Sequence, residues 1–469
     1  MTGLVRVRRI GAKRRRIGEW LTGHAGWCLA VSLTAHVLAV VSHPTEPLDL
    51  RVYHGAAPHV LSGGLYDFAV HTGPPIPLLP FTYPPFAALV FLPLSRLPWT
   101  ATVVLWQVLS VAALLVIVAC AFRLLPARPD GRGRARVLLW TAVGLWLEPV
   151  RHTLDQGQVN LLLGAVVLAG LAAPWGAGRR GAAPGSEEAG GGAFGAGAFG
   201  AEESTRGALW RGAAVGLAAA VKLTPAVGGL YLLATRQWRA ALWAVVAGGT
   251  ATAVAWGVAP EESARYWTVL VTRTQRVGPL WSVRNQSLRG AVARLVGQDG
   301  GAVAPVWWTA LVLVTGAAAW ALWAAVRRGD RLGALVAVEL YGLLVCPVSW
   351  SHHWIWCLPA MIWLAHGPLR RRPFARLALA VWALAAGARV VPLLIRAEDH
   401  LAHPSPYPAL LAWPGCVYAV CALLTFLALA VGPPESQARA GTSGAGRPGE
   451  RTGRSAEEVW GASSSRPMR

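Results

Sequence analysis

The chain has 469 residues, of which 54% are hydrophobic and 14% are charged. Soluble globular proteins carry about 25% charged residues, so this composition excludes an ordinary soluble domain. A net charge of +21 would suit a nucleic-acid-binding protein if the basic residues formed a surface patch. They lie instead at the ends of apolar segments, so we predict membrane lipids, and no nucleic acid, as partners of this chain.

Eight apolar segments approach the roughly 20 residues that a helix needs to cross the bilayer core. One such segment can be a buried core helix, but eight of them predict an all-α polytopic membrane protein. Arginines cluster at residues 6–16, 128–136, 327–331 and 370–372, and such clusters are typical of cytoplasmic loops. The apolar segments are residues 25–41, 99–125, 159–173, 240–258, 306–326, 332–345, 377–395 and 410–431.

Charge and composition divide the chain into three parts. Residues 1–23 are predicted to be a basic cytoplasmic N-terminus, residues 24–432 the transmembrane domain, and residues 433–469 a disordered cytoplasmic tail. Within the transmembrane domain, a Gly/Ala/Glu-rich stretch at residues 176–206 predicts a flexible cytoplasmic insertion. The predicted outer loops are residues 42–82, 260–301 and 396–407.

The topology of the middle depends on residues 81–98. If this segment crossed the membrane alone, the arginine cluster at 128–136 would lie outside, against the charge bias. We therefore predict a broken, proline-rich segment that does not cross alone, which places residues 156–160 on the outer side. Residues 207–234 then form two short legs around Lys222-Leu-Thr-Pro225.

Two motifs near the first outer loop carry candidate site residues. Asp49, in Pro47-Leu-Asp-Leu-Arg-Val-Tyr53, can act as a general base or orient a substrate hydroxyl; the alternative is a solvated interfacial acid. Tyr83 lies in Leu79-Pro-Phe-Thr-Tyr-Pro-Pro-Phe86, where aromatic rings and prolines form a membrane-boundary belt and can also shape a substrate groove.

Amide and cationic side chains at membrane depth are costly and are therefore functional candidates. Gln156-Gly-Gln-Val-Asn160 places amides at the head of an apolar segment, so Gln158 and Asn160 are candidate sugar ligands; the alternative is a helix cap. Lys222 lies within an apolar stretch that Pro225 interrupts. It either extends to the membrane interface or faces a cavity, where a lipid phosphate is its natural partner.

The outer loop 260–301 holds six arginines and three acidic residues. Within it, Arg284 and Arg289 flank the amide pair Asn285 and Gln286, an arrangement that suits a phosphate and a sugar.

Two adjacent histidines follow in Ser349-Trp-Ser-His-His-Trp354. His352 or His353 can act as a base, and Trp350 offers a surface on which a sugar ring stacks; the alternative is an interfacial aromatic belt. A metal site is a weaker hypothesis, because adjacent histidines point to different helix faces and no third ligand is evident. We therefore predict no metal.

The sequence contains no Asp-x-Asp pair, no Gly-rich phosphate loop and no Rossmann fingerprint. A nucleotide-sugar or ATP-driven mechanism is therefore not supported, and no cofactor is predicted. A base, amides, aromatic rings and cations on the outer side suit glycosyl transfer from a lipid-linked sugar.

Six segments, taken in order, resemble glycosyltransferase family 87, the actinobacterial polyprenol-phosphate-mannose-dependent alpha-(1,2)-mannosyltransferases. The Arg-, Ala- and Gly-rich composition also fits an actinobacterium with a high-GC genome. The segments are Asp49-Leu-Arg-Val-Tyr53, Phe81-Thr-Tyr-Pro-Pro85, Gly157-Gln-Val-Asn160, Ala220-Val-Lys-Leu-Thr-Pro225, Asn285-Gln-Ser287 and Ser349-Trp-Ser-His-His353.

The resemblance implies a GT-C type fold with about 10–12 transmembrane or broken helices and an outward-facing cavity. It implies inverting, metal-independent transfer of mannose from a polyprenyl-phosphate sugar to a glycolipid or lipoglycan at the extracytoplasmic face of the cell membrane. The acidic residue after the first helix, here Asp49, would be catalytic, with His352 and His353 binding or deprotonating the acceptor. The predicted substrate-binding residues are Tyr53, Tyr83, Gln158, Asn160, Lys222, Arg284, Asn285, Gln286, Arg289 and Trp350.

Three alternatives stay open at this point. Some relatives use polyprenyl-phospho-arabinose, so the chain can be an arabinofuranosyltransferase. A transporter or flippase of cell-envelope lipids would use the same polar residues as a path, and would spread them through both leaflets. A non-catalytic subunit of a wall-assembly complex is the third.

Overall fold

The computed structural model describes residues 18–72, 78–126, 130–173, 204–297, 303–401 and 407–431; of residues 274 and 275 it describes the backbone only. The predicted cytoplasmic tail lies outside the described residues, as do most of the predicted N-terminal segment and most of the insertion at 176–206.

Helices dominate the described chain, as the apolar segments predict, and the expectation of an all-α polytopic membrane protein is confirmed. Five helical spans are long and apolar enough to cross a membrane, and two bent pairs raise the number to seven if each pair is one span. The five spans are Ala25–Ser42, Trp99–Leu124, Trp238–Val258, Val303–Arg327 and Ala409–Ala430.

Other segments that were counted as crossings are shorter than a bilayer core. The 15-residue helix Arg331–Val345 and the 10-residue helix Cys357–His366 follow one another around the Ser349–His353 motif. Some of the predicted 10–12 transmembrane or broken helices are therefore short, broken helices.

The helices are labelled in chain order, and short 3-10 and π turns extend several of them. Two short antiparallel strands, β1 (Ala69–His71) and β2 (Leu78–Pro80), pair within the predicted first outer loop, with Ala69 opposite Pro80. The helices are α1 Ala25–Ser42, α2 Leu48–Ala56, α3 His59–Ser62, α4 Pro85–Phe91, α5 Trp99–Leu124, α6 Gly133–Gly144, α7 Glu148–Gln156, α8 Asn160–Leu171, α9 Thr205–Val221, α10 Gly228–Ala234, α11 Trp238–Val258, α12 Pro260–Arg265, α13 Leu288–Val296, α14 Val303–Arg327, α15 Arg331–Val345, α16 Cys357–His366, α17 Pro373–Trp382, α18 Val390–Asp399, α19 Ala409–Ala412 and α20 Val417–Ala430.

Three interruptions in the helices build the site. Residues 81–98 form only α4 and a 3-10 turn, Leu92–Arg96, so the segment is broken, as predicted, and its helices are shorter than a bilayer core. Lys222 ends α9, and the 3-10 turn Thr224–Val227 leads into α10, which matches the predicted two legs. The axes of α7 and α8 meet at 119°, with Gly157 between them.

Small residues bring α9 and α11 into close contact. A Cβ on Gly212 or Gly216 would overlap the backbone carbonyl of Ala240 or Ala244, so only glycine allows this approach. Without a strong hydrophobic force between helices in lipid, such small-residue contacts are a main source of helix association. The α9–α11 pair forms one wall beside the break at Lys222.

Candidate active site

A cavity of about 530 Å³ lies where α2, the β2–α4 connection, the Lys222 break and the segment before α16 meet. Six separate parts of the chain therefore share one space. Seven of the thirteen predicted site residues line it: Asp49, Tyr53, Tyr83, Gln158, Lys222, Trp350 and His353.

Asp49 is oriented by a buried hydrogen-bonded cluster. The Gln158 side-chain amide donates to Asp49 Oδ2 at 3.1 Å, and Gln158 Oε1 accepts from the hydroxyls of Tyr53 at 2.5 Å and Tyr83 at 2.9 Å. Because two phenols donate to its oxygen, the amide of Gln158 is fixed with its nitrogen toward the carboxylate. The predicted residues Tyr53, Tyr83 and Gln158 thus act on Asp49 together.

The pKa of Asp49 is raised to about 6, because burial disfavours the charged carboxylate. The positive charge of Lys222, the nearby His152 and the hydrogen bond from Gln158 oppose this rise. A carboxylate with a pKa near 6 is mostly ionised at neutral pH and is a stronger base than an ordinary aspartate. This pKa suits a general base.

Gly157 lets the amide motif approach α2. Its φ is +64°, in the left-handed region that favours glycine, and a Cβ there would lie 2.6 Å from Leu50 Cβ and 3.0 Å from Pro47 Cβ. Leu50 and Pro47 flank Asp49 in sequence, so the bend at Gly157 sets the distance between Gln158 and the carboxylate.

Lys222 is held at the break between α9 and α10. Its Nζ donates to Asn160 Oδ1 at 2.7 Å and lies 3.2 Å from His353 Nε2 and 5.4 Å from the centre of the Tyr83 ring. The side chain is 8% exposed and faces the cavity, so the cavity-facing interpretation describes it and the interface interpretation does not. Asn160 contacts this lysine but does not line the 530 Å³ cavity.

The two histidines differ in position. His353 lines the cavity, whereas the His352 ring packs between the rings of His152 and His353, at centroid distances of 4.9 and 4.7 Å. Thr153 and Asn160 bind the backbone carbonyl of His352 and so fix this turn. Of the predicted pair, His353 is therefore the one that can reach a molecule in the cavity.

The four predicted residues of the outer loop lie outside the cavity lining. Arg284 forms ion pairs with Asp399 at 2.8 Å and Glu398 at 3.3 Å, and Arg289 is exposed beside the Trp307 ring. The structure thus does not bring these arginines to the cavity. Acidic residues of α18 neutralise Arg284 instead.

The amide pair between these arginines is used by the fold. The Asn285 amide donates to the backbone carbonyls of Leu280 and Pro347, and Oδ1 accepts from the backbone N–H of Ser287 and Ser349. Gln286 likewise binds backbone groups of Val283, Gly415 and Tyr418. Asn285 pairs with Trp350 in an isolated bridge, so these amides hold the Trp350 segment rather than face the cavity.

Two residues, one that lines the cavity and one that packs against His352, escaped the sequence analysis. Arg276 lines the cavity 5.9 Å from the centre of the Tyr66 ring. His152 lies four residues before Gln156 on α7 and bonds Ser351 Oγ at 2.8 Å. The sequence contains two weak signals for these residues: the six arginines of the predicted outer loop, and the four-residue spacing of His152 and Gln156. Neither signal distinguishes a site residue from its neighbours.

Within the described ranges, no three His, Cys, Asp or Glu side chains gather as a metal ion would require. The predictions of no metal and no cofactor stay predictions.

Residues 81–349 match the family model of glycosyltransferase family 87. A polyprenol-phosphate-mannose-dependent alpha-(1-2)-phosphatidylinositol pentamannoside mannosyltransferase of Mycolicibacterium smegmatis is 37% identical over 405 residues, 85% of this chain and 88% of the relative. The protein of the same name from Mycobacterium tuberculosis is 39% identical over 81% of this chain and 80% of its own length.

A more distant likeness exists to a solved structure. The crystal structure of ArnT from Cupriavidus metallidurans in the apo state aligns with a TM-score of 0.33 at 16% identity, covering 87% of this chain and 76% of ArnT.

Proposed function

The chain belongs to glycosyltransferase family 87, and from this premise we propose that it transfers mannose from a polyprenyl-phosphate donor to a phosphatidylinositol mannoside at the extracytoplasmic face of the membrane. The observation that carries the proposal is a single cavity lined by a half-buried carboxylate, Asp49, and a buried cation, Lys222. The names of the mycobacterial relatives support the choice of donor and acceptor.

Asp49 is the proposed general base. It takes the proton of an acceptor hydroxyl, which then attacks the anomeric carbon of mannose while the bond from that carbon to the phosphate oxygen breaks. Displacement from the opposite face inverts the anomeric configuration. Gln158 holds the carboxylate in position, and this fixed orientation lowers the entropy cost of the attack.

The departing phosphate needs positive charge, because negative charge builds up on its oxygens in the transition state. Lys222 and Arg276 are the cations that line the cavity among the described residues, so we assign the phosphate to them. Arg276 takes the role that the sequence suggested for Arg284 and Arg289. Trp350 and Tyr83 offer the aromatic surfaces for the sugar.

An apolar groove gives a lipid-borne donor a place to lie. Leu223, next to Lys222, lines both the cavity and a groove of about 380 Å³ between α9, α10 and α11. This groove shares Gly249, Thr252 and Trp267 with a second apolar space of about 660 Å³. A hydrocarbon chain that begins at a phosphate beside Lys222 can follow this path, which no water-soluble sugar nucleotide would need.

The distribution of arginine supports an outward-opening cavity. Helix α15 begins at Arg331, beside Arg327 and Arg328, and its C-terminal end leads to the cavity-lining residues Cys346 and Trp350. Arginine clusters mark cytoplasmic ends, so the opposite end of α15 faces the outer side.

Reconstituted enzyme tests the proposal directly. Proteoliposomes of wild type and Asp49→Asn receive labelled polyprenyl-phosphate mannose and a panel of phosphatidylinositol mannosides. We expect wild type alone to form a product whose label an alpha-(1-2)-specific mannosidase releases. No transfer to any acceptor, while a known mannosyltransferase in the same vesicles is active, would overturn the proposal.

A substitution in the groove tests the binding of the donor's hydrocarbon chain independently of the binding of its sugar. No atom lies within 4 Å of a Cβ placed on Gly249, so Gly249→Leu fills groove space without a clash of its first atom. We expect a higher KM for a long-chain donor and an unchanged KM for a short-chain analogue. Gly316→Leu on α14, equally open and outside the groove, is the matched control; equal KM values for both variants would contradict the groove assignment.

A further inference from the structure

A second, smaller cavity lies behind the site, and the mechanism above does not use it. It measures about 40 Å³ and is lined by four polar side chains among apolar ones. These are Asn160, Thr224, Glu339 and His353. His353 lines both this cavity and the larger one, as do Thr224, Val227 and Gly342, so it forms part of the wall between the two spaces.

Glu339 is the unexpected member of this group. It lies in the middle of α15, is 3% exposed, and its Oε1 has no hydrogen-bond partner among the described residues. No ion pair in the described part of the chain involves it. A carboxyl group in such surroundings is costly, and residues of this kind inside a membrane protein are functional candidates.

His353 also carries a polar ring atom without a hydrogen-bond partner among the described residues. As an ammonium group, Lys222 can only donate, so His353 Nε2 accepts its hydrogen bond and the neutral ring carries its proton on Nδ1. Nδ1 is buried and has no hydrogen-bond partner among the described residues. A donor on His353 and an acceptor on Glu339 thus lie unpaired at the walls of one small cavity.

We propose that Glu339 is a positioning residue that fixes the tautomer of His353 through a water molecule bound in the 40 Å³ cavity. A space of this size exceeds the roughly 10–15 Å³ that one water requires, and its polar lining supplies the two to four partners that a buried water needs. The water accepts from His353 Nδ1 and donates to a carboxyl oxygen of Glu339.

The tautomer of His353 affects the donor site because it determines the orientation of Lys222. With its proton held on Nδ1, His353 presents a lone pair on Nε2 to Lys222 Nζ, and Asn160 Oδ1 provides the second acceptor. The ammonium is then aimed at the cavity where we place the donor phosphate. Partners that fix a functional histidine in this way are known to matter in other proteins through orientation rather than direct contact.

The inference rests on the proposed function, and a double-mutant cycle tests it separately. We expect Glu339→Leu to lower kcat about tenfold, while Glu339→Gln, which keeps an acceptor oxygen, stays closer to wild type. If Glu339 acts through His353, Glu339→Leu has little further effect in a His353→Phe background. Equal loss in both backgrounds, or no loss in wild type, would overturn the inference while leaving mannosyl transfer intact.

A buried glutamate elsewhere provides the matched control. Glu398 accepts from Ser282 and Tyr407 and lines neither cavity, so Glu398→Gln should combine additively with His353→Phe. Thermal stability is measured for each variant alongside kcat.

A spectroscopic measurement covers the case in which His353→Phe is inactive. The ¹⁵N signals of the His353 ring, assigned by their loss in His353→Phe, report which nitrogen is protonated. We expect a single Nδ1–H tautomer in wild type and a mixture in Glu339→Leu. The same spectrum in both proteins, or a proton on Nε2 in wild type, would contradict the proposal.

Discussion

Two polar clusters on the same side of the bundle have opposite uses. Around Asp49, Gln158 and the two tyrosines bind one another in a way that leaves the carboxylate facing a cavity. Around Asn285, every amide atom binds the backbone, and Arg284 is paired with acidic residues. Both clusters look alike in sequence, since each combines amides with a charged residue beside an apolar segment.

The difference lies in which groups complete the hydrogen bonds. A buried polar group must find a partner, and either the fold or a ligand can supply it. At Asp49 the fold orients the group and leaves it facing space, whereas at Asn285 the fold uses all of it.

Loss of the base should have the largest effect. Asp49→Asn removes the proton acceptor and keeps the size of the side chain, so kcat should fall by about 10²–10⁴-fold. Asp399→Asn, which changes a carboxylate of the other cluster, should leave kcat close to wild type. Both are measured as mannosyl transfer at saturating donor; an active Asp49→Asn enzyme would return the role of base to His353.

A substitution at the bend before Gln158 should have the second-largest effect on the reaction rate. Gly157→Ala places a Cβ 2.6 Å from Leu50 Cβ and pushes α2 away from Gln158, and a displacement near 1 Å can cost about 10²-fold in rate. Gly131→Ala is the control, because Gly131 has the same φ of +64° and nothing within 4 Å of its Cβ. An equal loss of activity in the two variants would show that backbone strain, and not the contact with α2, is the cause.

The pH dependence should follow Asp49. A base acts when ionised, so kcat/KM should be constant above the pKa of about 6 and fall about tenfold per pH unit below it. Lys222 lowers this pKa, so Lys222→Met should move the acidic limb to higher pH as well as slow the reaction. A limb that does not move would show that another group controls it.

The loop cluster should affect stability far more than the reaction. Asn285→Ala leaves the backbone N–H groups of Ser287 and Ser349 without their acceptor, at a cost of about 1–3 kcal/mol for each buried group that finds no other partner. We expect a lower Tm and a nearly unchanged KM for the donor. A large rise in KM with an unchanged Tm would instead support substrate binding by this loop.

The sequence predicted much of this arrangement for physical reasons that are local. Apolar run length and arginine placement determine which segments enter the membrane, because the cost of burying charge in lipid acts on each segment separately. The break at Lys222 followed from Pro225, and the broken helix at residues 81–98 followed from its prolines. The order of six motifs was enough to indicate the family.

Only the tertiary structure decided which polar residues share the cavity. Whether Arg276 or Arg284 faces the cavity depends on where α18 places Asp399, more than a hundred residues away along the chain. Likewise, nothing in the sequence distinguishes Glu339 from other acidic residues, whereas the structure places it with His353 at one small cavity. Side-chain types and spacing carry no information about such long-range partners, and those partners determine whether a buried polar group serves the fold or the reaction.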